Sequence, residues 1–286
     1  MRVAVVGARG QLGAAVVHEF ESDHDVAPLT RGDLDINDPN AVEAVLSRLA
    51  PDVIVNCAGY NAVDAAEDHP VEALRTNAFA VRRLARAATA AQAVLITCST
   101  DFVFDGTLDR PLVEDDRPNP RSVYAASKLL GEWFASDAPR GYVLRVESLF
   151  GRAPAGPPAK GSADAILSTI RAGGVARVFE DRTVSPTYVI DAARAIRGLL
   201  ERSVPPGLYH CVNSGSCTWF EFALEAASLM GVEARLERVQ VAEAPLRAER
   251  PKYCALSNAR LAAVGVPMPD WRDALARHIK AEQRRS

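Results

Sequence analysis

Residues 2–17 of the 286-residue chain read Arg2-Val-Ala-Val-Val-Gly7-Ala-Arg9-Gly10-Gln11-Leu12-Gly13-Ala-Ala-Val-Val17. An apolar, β-branched run is followed by three glycines and then by a helical pattern. Strand, glycine turn and helix in this order favour a dinucleotide-binding turn, because glycines let the backbone approach a pyrophosphate and a helix N-terminus offers unpaired N–H groups. The simpler alternative is a strand-to-helix turn whose glycines serve only positive φ angles.

The alternation of strand and helix patterns continues to residue 146. It predicts an α/β fold, a Rossmann-like doubly wound parallel sheet with helices on both faces. The patterns that alternate are strands at 25–29, 52–59, 93–100 and 142–146 and helices at 40–49 and 70–91.

The composition changes near Arg152, where residues 153–161 form a Pro- and Gly-rich, flexible insertion. We predict an NAD(P)-binding Rossmann domain over residues 1–151. Residues 152–286 are predicted to form mainly a smaller α/β substrate-binding lobe, with part of 175–215 returning to the Rossmann sheet. The elements expected in this part are strands at 175–180 and 208–212, a turn plus helix at 186–200 and a helix at 219–230.

The overall composition excludes several classes of protein. The chain is 48% apolar and 24% charged with a net charge of −3, so it has no basic excess for nucleic acid or an anionic membrane. No apolar run is long enough to span a bilayer, and the strand that starts at Arg2 leaves no room for a signal peptide, which predicts the cytoplasm. The five cysteines show no Cys-x-x-Cys spacing, so neither a disulfide framework nor a structural metal is expected.

Tyr124 and Lys128 are the first candidates for chemistry. Four residues apart on a helix, they would share one face with their β-carbons about 5–6 Å apart. An ammonium at that distance would lower the pKa of the phenol, which could then exchange a proton with a carbonyl oxygen. A solvated helix face is the alternative for an isolated Tyr-x-x-x-Lys pair.

Polar and small side chains at strand ends indicate where a ligand binds. The strand 52–59 ends in small residues that let a cofactor lie across its tip, and Thr100 follows the next strand. Because open α/β sheets bind ligands at the carboxyl ends of their strands, Thr100 is expected to face the same site as Tyr124 and Lys128. Capping of the local loop is the alternative role for Thr100.

The second strand ends at Thr30-Arg31, where enzymes specific for the non-phosphorylated cofactor usually place a carboxylate. Arg31 together with Arg9 favours a 2′-phosphate, and therefore NADPH. Asp33 or Asp35 could still reach an adenosine, so NADH stays possible.

The chain resembles an extended short-chain dehydrogenase/reductase and, more narrowly, the dTDP-4-dehydrorhamnose reductase family. The resemblance covers nearly the whole chain. The motifs that carry it are Gly7-x-x-Gly10-x-x-Gly13, Ser99-Thr-Asp-Phe-Val-Phe-Asp-Gly106, Tyr124-x-x-x-Lys128, Val184-Ser-Pro-Thr187, Gly207-Leu-Tyr-His-Cys-Val-Asn-Ser-Gly215, Arg250-Pro251 and Pro269-Asp-Trp271.

The resemblance implies an NADPH-dependent oxidoreductase that reduces the 4-keto group of a nucleotide-linked deoxysugar, as a monomer or homodimer. Its catalytic triad falls on Thr100, Tyr124 and Lys128, with Tyr124 as the general acid. The residues implied to bind the cofactor are Gly7, Arg9, Gly10, Gln11, Leu12, Arg31, Asp35, Ile36, Cys57, Ala58, Gly59, Tyr60, Asn77, Tyr124 and Lys128. Those implied on the substrate side are Asp101, Phe102, Ser148 and Arg250.

The sequence departs from the family at two of these positions. Ser148 stands where the rhamnose reductases carry a tryptophan, and Phe102 stands in place of a tyrosine, which leaves open which nucleotide-sugar is reduced. One alternative is a sugar-nucleotide epimerase or dehydratase, although Arg31 and a single acid next to Thr100 fit it less well. Another is a non-catalytic NADP-binding subunit similar to the regulatory β subunit of methionine adenosyltransferase.

Overall fold

A computed structural model describes residues 1–158 and 161–284 of the chain. The strands within these residues are β1 (Arg2–Val6), β2 (Asp25–Leu29), β3 (Val53–Asn56), β4 (Val94–Thr100), β5 (Gly141–Val146), β6 (Leu149–Phe150), β7 (Val175–Phe179), β8 (Thr183–Val184), β9 (Thr187–Tyr188), β10 (Gly207–His210), β11 (Cys217–Thr218) and β12 (Arg235–Val239).

The helices alternate with these strands over most of the chain. They are α1 (Gln11–Phe20), α2 (Pro39–Leu49), α3 (Val63–Asp68), α4 (Pro70–Leu74), α5 (Ala80–Ala90), α6 (Val123–Ser136), α7 (Ser162–Arg171), α8 (Val189–Glu201), α9 (Trp219–Met230), α10 (Ala259–Ala263) and α11 (Trp271–Gln283), with 3₁₀ segments at Asp101–Val103 and Val241–Glu243 and a π-helical turn at Arg75–Phe79.

The main sheet has the strand order β10-β5-β4-β3-β1-β2, and its neighbouring strands are parallel. The predicted doubly wound fold is therefore confirmed. The sixth strand, β10, comes from the range 175–215 that was expected to return to this sheet, and it pairs with β5. The division of the chain into domains at residue 151 stays a prediction.

Separate helix layers cover the two faces of the sheet, as alternating side chains of buried parallel strands require. Val5, Val55 and Ile96 face a core that includes α1 and α8. The intervening residues of the same strands, such as Ala4 and Ile54, face a second core that includes α2 and α5. The sheet is thus buried on both sides, and its carboxyl edge is left for a ligand.

The glycine turn lies where the strand order reverses, between β1 and β3. Gly7 has φ +79°, and a Cβ added to it would lie 2.8 Å from the backbone nitrogen of Ala58, directly beyond β3. A Cβ on Gly13 would lie only 2.3 Å from the carbonyl oxygen of Gly7. These close approaches bring the ends of β1 and β3 and the start of α1 to one point.

One predicted helix has a different form in the structure. The expected continuous helix over 70–91 contains the π-helical turn Arg75–Phe79 between α4 and α5. Such a turn inserts a residue into the helical ladder and redirects a side chain, frequently at a functional site. Here it includes Asn77, whose buried side chain bonds to the backbone of Tyr60.

The part of the chain after residue 152 contains elements that the sequence patterns did not indicate, among them α7, β12 and α11. Strand β12 pairs in parallel with β7 in a separate two-stranded sheet. The predicted helix at 219–230 coincides with α9. Residues 159–160 of the insertion expected at 153–161 lie outside the described residues.

Among the residues that the structure describes, no helix is both long enough and apolar enough to cross a membrane.

Candidate active site

A cleft of 450 Å³ opens at the carboxyl edge of the main sheet. It is lined by the start of α1, by the loops after β3, β4 and β5, and by one face of α6. The residues proposed for the site that line this cleft are Gly10, Gln11, Leu12, Cys57, Ala58, Gly59, Thr100, Asp101, Phe102, Tyr124, Lys128, Ser148 and Arg250. The topology thus brings together segments that are far apart in the sequence.

The glycine turn has the features that a pyrophosphate requires. Helix α1 starts after Gly10, which has no side chain to cap it, and no acidic residue lies in its first turn. Its first N–H groups are therefore available to an anion and reinforced by the helix dipole. A dinucleotide cofactor fits this turn, because the N–H groups at the start of α1 can hold a pyrophosphate and the glycines let the backbone of the turn pack closely.

Other residues of the predicted cofactor set lie around this turn. The Gln11 side chain donates to the carbonyl oxygen of Gly151 at 2.6 Å, so it ties the turn to the loop after β6. Arg9 is exposed beside Thr30 along a smaller groove of 300 Å³, and Arg31 is exposed at the end of β2.

The carboxylates at the end of β2 are engaged in local turns. Asp33 accepts from the backbone nitrogen and hydroxyl of Thr30 at 2.9 and 2.6 Å, and Asp35 accepts from the backbone nitrogen of Asn37 at 2.9 Å. Ile36 packs into the core beside α2. Asp35 and Ile36 are therefore not among the residues that line the cleft.

Asn77 fixes the loop after β3. Its Oδ1 accepts from Tyr60 N at 2.8 Å, and its Nδ2 donates to Tyr60 O at 3.0 Å and to Ser127 Oγ at 2.9 Å. Because these bonds occupy the Asn77 amide, Asn77 does not line the cleft itself. It acts on the cleft by holding the loop residues Gly59 and Tyr60. Asn77 is a positioning residue in this structure.

Tyr124 and Lys128 share one face of α6, as their spacing predicts, and both are buried. Ser122 caps this helix by accepting from the backbone nitrogen of Ala125. The Lys128 ammonium donates to the carbonyl oxygen of Cys98 at 2.5 Å. The helix therefore presents a phenol and an ammonium to the same cleft.

The expected effect of Lys128 on Tyr124 is wrong. Burial raises the pKa of the Tyr124 phenol, and the nearby Asp101 carboxylate raises it further, while a hydrogen bond with Thr100 opposes both. Burial also lowers the pKa of Lys128. The ammonium is directed at Cys98 O, so it does not hold the phenol in its ionised form. The phenol is kept protonated, which is the state that a proton donor needs.

Thr100 lies at the end of β4, next to the phenol. Its hydroxyl donates to Asp101 Oδ1 at 2.9 Å and accepts from the backbone nitrogen of Phe102 at 3.3 Å. Thr100 therefore caps the local 3₁₀ turn and also lines the cleft, while its role towards a substrate stays a prediction.

The residues expected on the substrate side surround one aromatic ring. The Phe102 ring contacts Tyr124 edge to face, with centroids 5.9 Å apart, and the Arg250 guanidinium lies 5.7 Å from its centroid. Arg250 also forms an ion pair with Asp64 at 3.0 Å. Ser148 has φ +46°, a left-handed conformation that turns the chain between β5 and β6.

The sequence patterns missed a buried polar cluster beneath Thr100. It consists of Asp101, Glu147, Arg182 and Cys254, all of which are buried. One carboxylate oxygen of Asp101, one of Glu147 and the Cys254 sulfur lie within 4.8 Å of one another. A carboxylate directly after β5 was the available signal, because the end of a parallel strand points to the site. The Arg182 guanidinium supplies positive charge there, which disfavours a metal ion.

The model of the RmlD substrate binding domain family matches residues 1–284. A dTDP-4-dehydrorhamnose reductase of Streptomyces griseus is 35% identical over 98% of this chain and 93% of its own. A probable dTDP-4,6-dihydroxy-2-methyloxan-3-one 4-ketoreductase of Streptomyces antibioticus is also 35% identical, over 96% and 93%.

A solved structure extends the similarity to three dimensions. The dTDP-4-dehydrorhamnose reductase of Bacillus anthracis, in complex with NADP, is 32% identical with a TM-score of 0.92, and the match covers 98% of this chain and 99% of that one.

Proposed function

Because the chain belongs to the RmlD substrate binding domain family, with dTDP-4-dehydrorhamnose reductases among its relatives, we propose that it is an NADPH-dependent reductase. Its reaction is the reduction of the 4-keto group of a nucleotide-linked deoxysugar, dTDP-4-dehydro-L-rhamnose or a close analogue. The observation that carries this proposal is the convergence of Thr100, Tyr124 and Lys128 on one cleft beside the glycine turn.

The cofactor assignment rests on the fit of the glycine turn and on the relative solved with NADP. The backbone N–H groups at Gly10, Gln11 and Leu12 would hold the pyrophosphate, and Cys57 to Gly59 would lie against the rest of the dinucleotide. Arg9 and Arg31 are exposed next to the end of β2, where their charge suits a 2′-phosphate. When bound, NADPH supplies the hydride.

The chain's own residues supply the proton and hold the carbonyl. Tyr124 donates its phenolic proton to the substrate oxygen as negative charge develops there. Thr100 lies next to the phenol, and when its hydroxyl turns from Asp101 to this oxygen it donates a hydrogen bond that orients the carbonyl. One donor of Lys128 goes to Cys98 O, and the ammonium has two further donors for a ribose hydroxyl.

The sugar is the open part of the assignment. Phe102 and Ser148 line the cleft without a phenol or an indole, and the Streptomyces antibioticus relative is named for a different 4-keto sugar. We therefore propose the 4-keto deoxysugar class and place the rhamnose precursor first within it.

The test is NADPH oxidation by the purified protein with freshly prepared dTDP-4-dehydro-L-rhamnose and with other dTDP-4-keto sugars. Steady turnover with one of them is the expected result. A protein that binds NADPH tightly and turns over none of them would instead be a binding subunit. Tightly retained NAD with epimer or dehydration products would indicate the epimerase or dehydratase alternative.

A further inference from the structure

The buried cluster beneath Thr100 contains two carboxyl groups that the reaction above does not use. Asp101 is 4% exposed and Glu147 is 1% exposed. Glu147 Oε2 accepts from the backbone nitrogen of Ser185 at 2.8 Å, whereas Glu147 Oε1 and Asp101 Oδ2 have no protein partner. The two groups come from consecutive strands of the sheet, since Asp101 follows β4 and Glu147 follows β5.

The charges of the cluster favour one proton shared between Asp101 and Glu147. Arg182 is the buried cation there, with its Nη2 3.7 Å from Cys254 Sγ. Its single positive charge balances one carboxylate, and a second buried carboxylate without a partner would be strongly unfavourable. Two carboxyl groups this close titrate as a coupled pair. One shared proton would compensate the second charge, and burial raises the pKa of both groups in the direction that favours it.

Hydroxyl and carboxyl groups lie between this proton and the phenol. Thr100 lowers the pKa of the neighbouring Tyr124 phenol as a hydrogen-bonding group, and its hydroxyl oxygen lies 2.9 Å from Asp101 Oδ1. The distance between the carboxyl oxygens of Asp101 and Glu147 is at most 4.8 Å, which one water or a small rotation can bridge.

We propose that Asp101 and Glu147 hold one proton between them and return it to Tyr124 through the Thr100 hydroxyl after each reduction. This inference rests on the proposed function. In the transfer, the Thr100 hydroxyl gives its proton to the Tyr124 phenolate and takes the shared proton from the Asp101 carboxyl, which leaves both carboxyls ionised. When the shared proton resides on Glu147, it first passes to Asp101. The pair, now ionised, takes up one proton from solvent through the cleft that Asp101 lines. Each cycle therefore consumes one solvent proton, and no redox step is added.

Several other titratable groups lie near Asp101 and Glu147. Those that interact electrostatically with Asp101 or Glu147 among the described residues are Tyr124, Arg182, Cys217, Tyr253 and Cys254. Burial raises the pKa of both cysteines and both tyrosines, so these groups are neutral around pH 7 and leave Arg182 as the charged neighbour.

The first test detects the proton without any need for turnover. Infrared difference spectra between the wild-type protein and Glu147→Gln or Asp101→Asn at pH 7 should show the loss of one protonated carboxyl band. Two variants are used so that a folding defect in one does not decide the result. Glu114→Gln is the matched control. Glu114 is also buried, but it accepts from His210 N and does not belong to the proposed proton path. Spectra in which both carboxyls are ionised would overturn the proposal.

The second test separates the return of the proton from its donation. In Glu147→Gln we expect the first turnover to stay within about threefold of wild type, while kcat at pH 8 falls on the order of tenfold and recovers as the pH is lowered. Equal losses in the first and later turnovers would show that Glu147 acts only through structure, and an unchanged kcat would exclude the relay. Failure of wild-type turnover would count against the proposed reductase function. The infrared experiment does not need turnover, so it tests the shared proton independently of that function.

Discussion

Asn77 and Tyr60 are joined by a two-way hydrogen bond in which the Asn77 side chain pairs with both backbone groups of Tyr60, at 2.8 and 3.0 Å. The contact is made possible by the π-helical turn that carries Asn77. It fixes Gly59, where an added Cβ would lie 3.2 Å from Asn77 Oδ1 and 3.8 Å from Lys128 Nζ. The turn thus holds the loop after β3 against the catalytic helix.

This relationship predicts the effect of Asn77→Asp. A carboxylate keeps the shape of the amide but cannot donate to Tyr60 O or Ser127, so it leaves buried groups unpaired at a cost of about 1–3 kcal/mol. We expect NADPH affinity to fall on the order of tenfold, measured by fluorescence titration. Asn40→Asp, at an exposed position on α2, is the control. Unchanged NADPH affinity in Asn77→Asp would show that the Asn77–Tyr60 hydrogen bonds do not support the cofactor site.

The buried phenol of Tyr124 predicts a selective loss in Tyr124→Phe. Removal of the general acid should lower kcat by about 10²–10⁴-fold while NADPH still binds, because the ring and its contact with Phe102 are kept. Tyr209→Phe is the matched control, since it also removes the hydroxyl of a buried tyrosine, which there donates to Pro205 O. Substantial turnover by Tyr124→Phe, measured with the keto sugar, would refute the acid role.

The exposed position of Arg31 predicts a change in cofactor preference. Arg31→Asp should weaken NADPH on the order of tenfold or more and favour NADH, because a carboxylate repels a 2′-phosphate and accepts from ribose hydroxyls. The measurement is the ratio of kcat/KM for the two cofactors. Arg48→Asp, on the outer face of α2, controls for the change of net charge. An unaltered ratio would mean that another group, such as Arg9, recognises the phosphate.

Gly13 and Gly32 should differ sharply in their tolerance of alanine. In Gly13→Ala the new Cβ would lie 2.3 Å from the backbone oxygen of Gly7, whereas in Gly32→Ala the nearest atom is the Thr30 hydroxyl at 3.7 Å. We expect Gly13→Ala to lower the free energy of unfolding by about 1–3 kcal/mol or more and to weaken NADPH binding, with Gly32→Ala close to wild type. Chemical denaturation of both variants compares them directly, and equal stabilities would contradict the close packing at the turn.

The buried His210 predicts how stability depends on pH. Burial, reinforced by the nearby Arg145, lowers the pKa of His210 to about 3. Below pH 6.5 the unfolded chain binds a proton at this histidine and the native state does not, so the native state loses about 1.4 kcal/mol per pH unit as the pH falls towards 3.

His210→Gln should remove this loss. Relative to wild type, its free energy of unfolding should rise by about 2 kcal/mol between pH 7 and pH 5, measured by urea denaturation at each pH. His18→Gln, at an exposed site on α1, controls for the loss of a histidine. Parallel pH dependences of His210→Gln and wild type would show that His210 is protonated in the native state.

The sequence by itself determined the layered fold and most of the residues that meet in the cleft. The apolar strand runs and the helical patterns of the first 150 residues, with the glycine turn after β1, depend on local chain geometry. They indicated the sheet, its helices and the shared face of Tyr124 and Lys128. After residue 152 the prediction weakened. Helix α11 was not predicted, although its buried residues Trp271, Leu275 and Ile279 recur at helical spacing after the cap Asp270.

Only the tertiary structure decided the electrostatics of the site. The spacing of Tyr124 and Lys128 fixed their separation along a helix, but it could not show that burial raises the pKa of the phenol while the ammonium faces Cys98 O. Nor could it place Glu147, Arg182 and Cys254 beside Asp101, because these residues are 46, 81 and 153 positions further along the chain. Desolvation and charge pairing depend on which groups meet in space, and that is set by the order of the strands rather than by neighbours in the sequence.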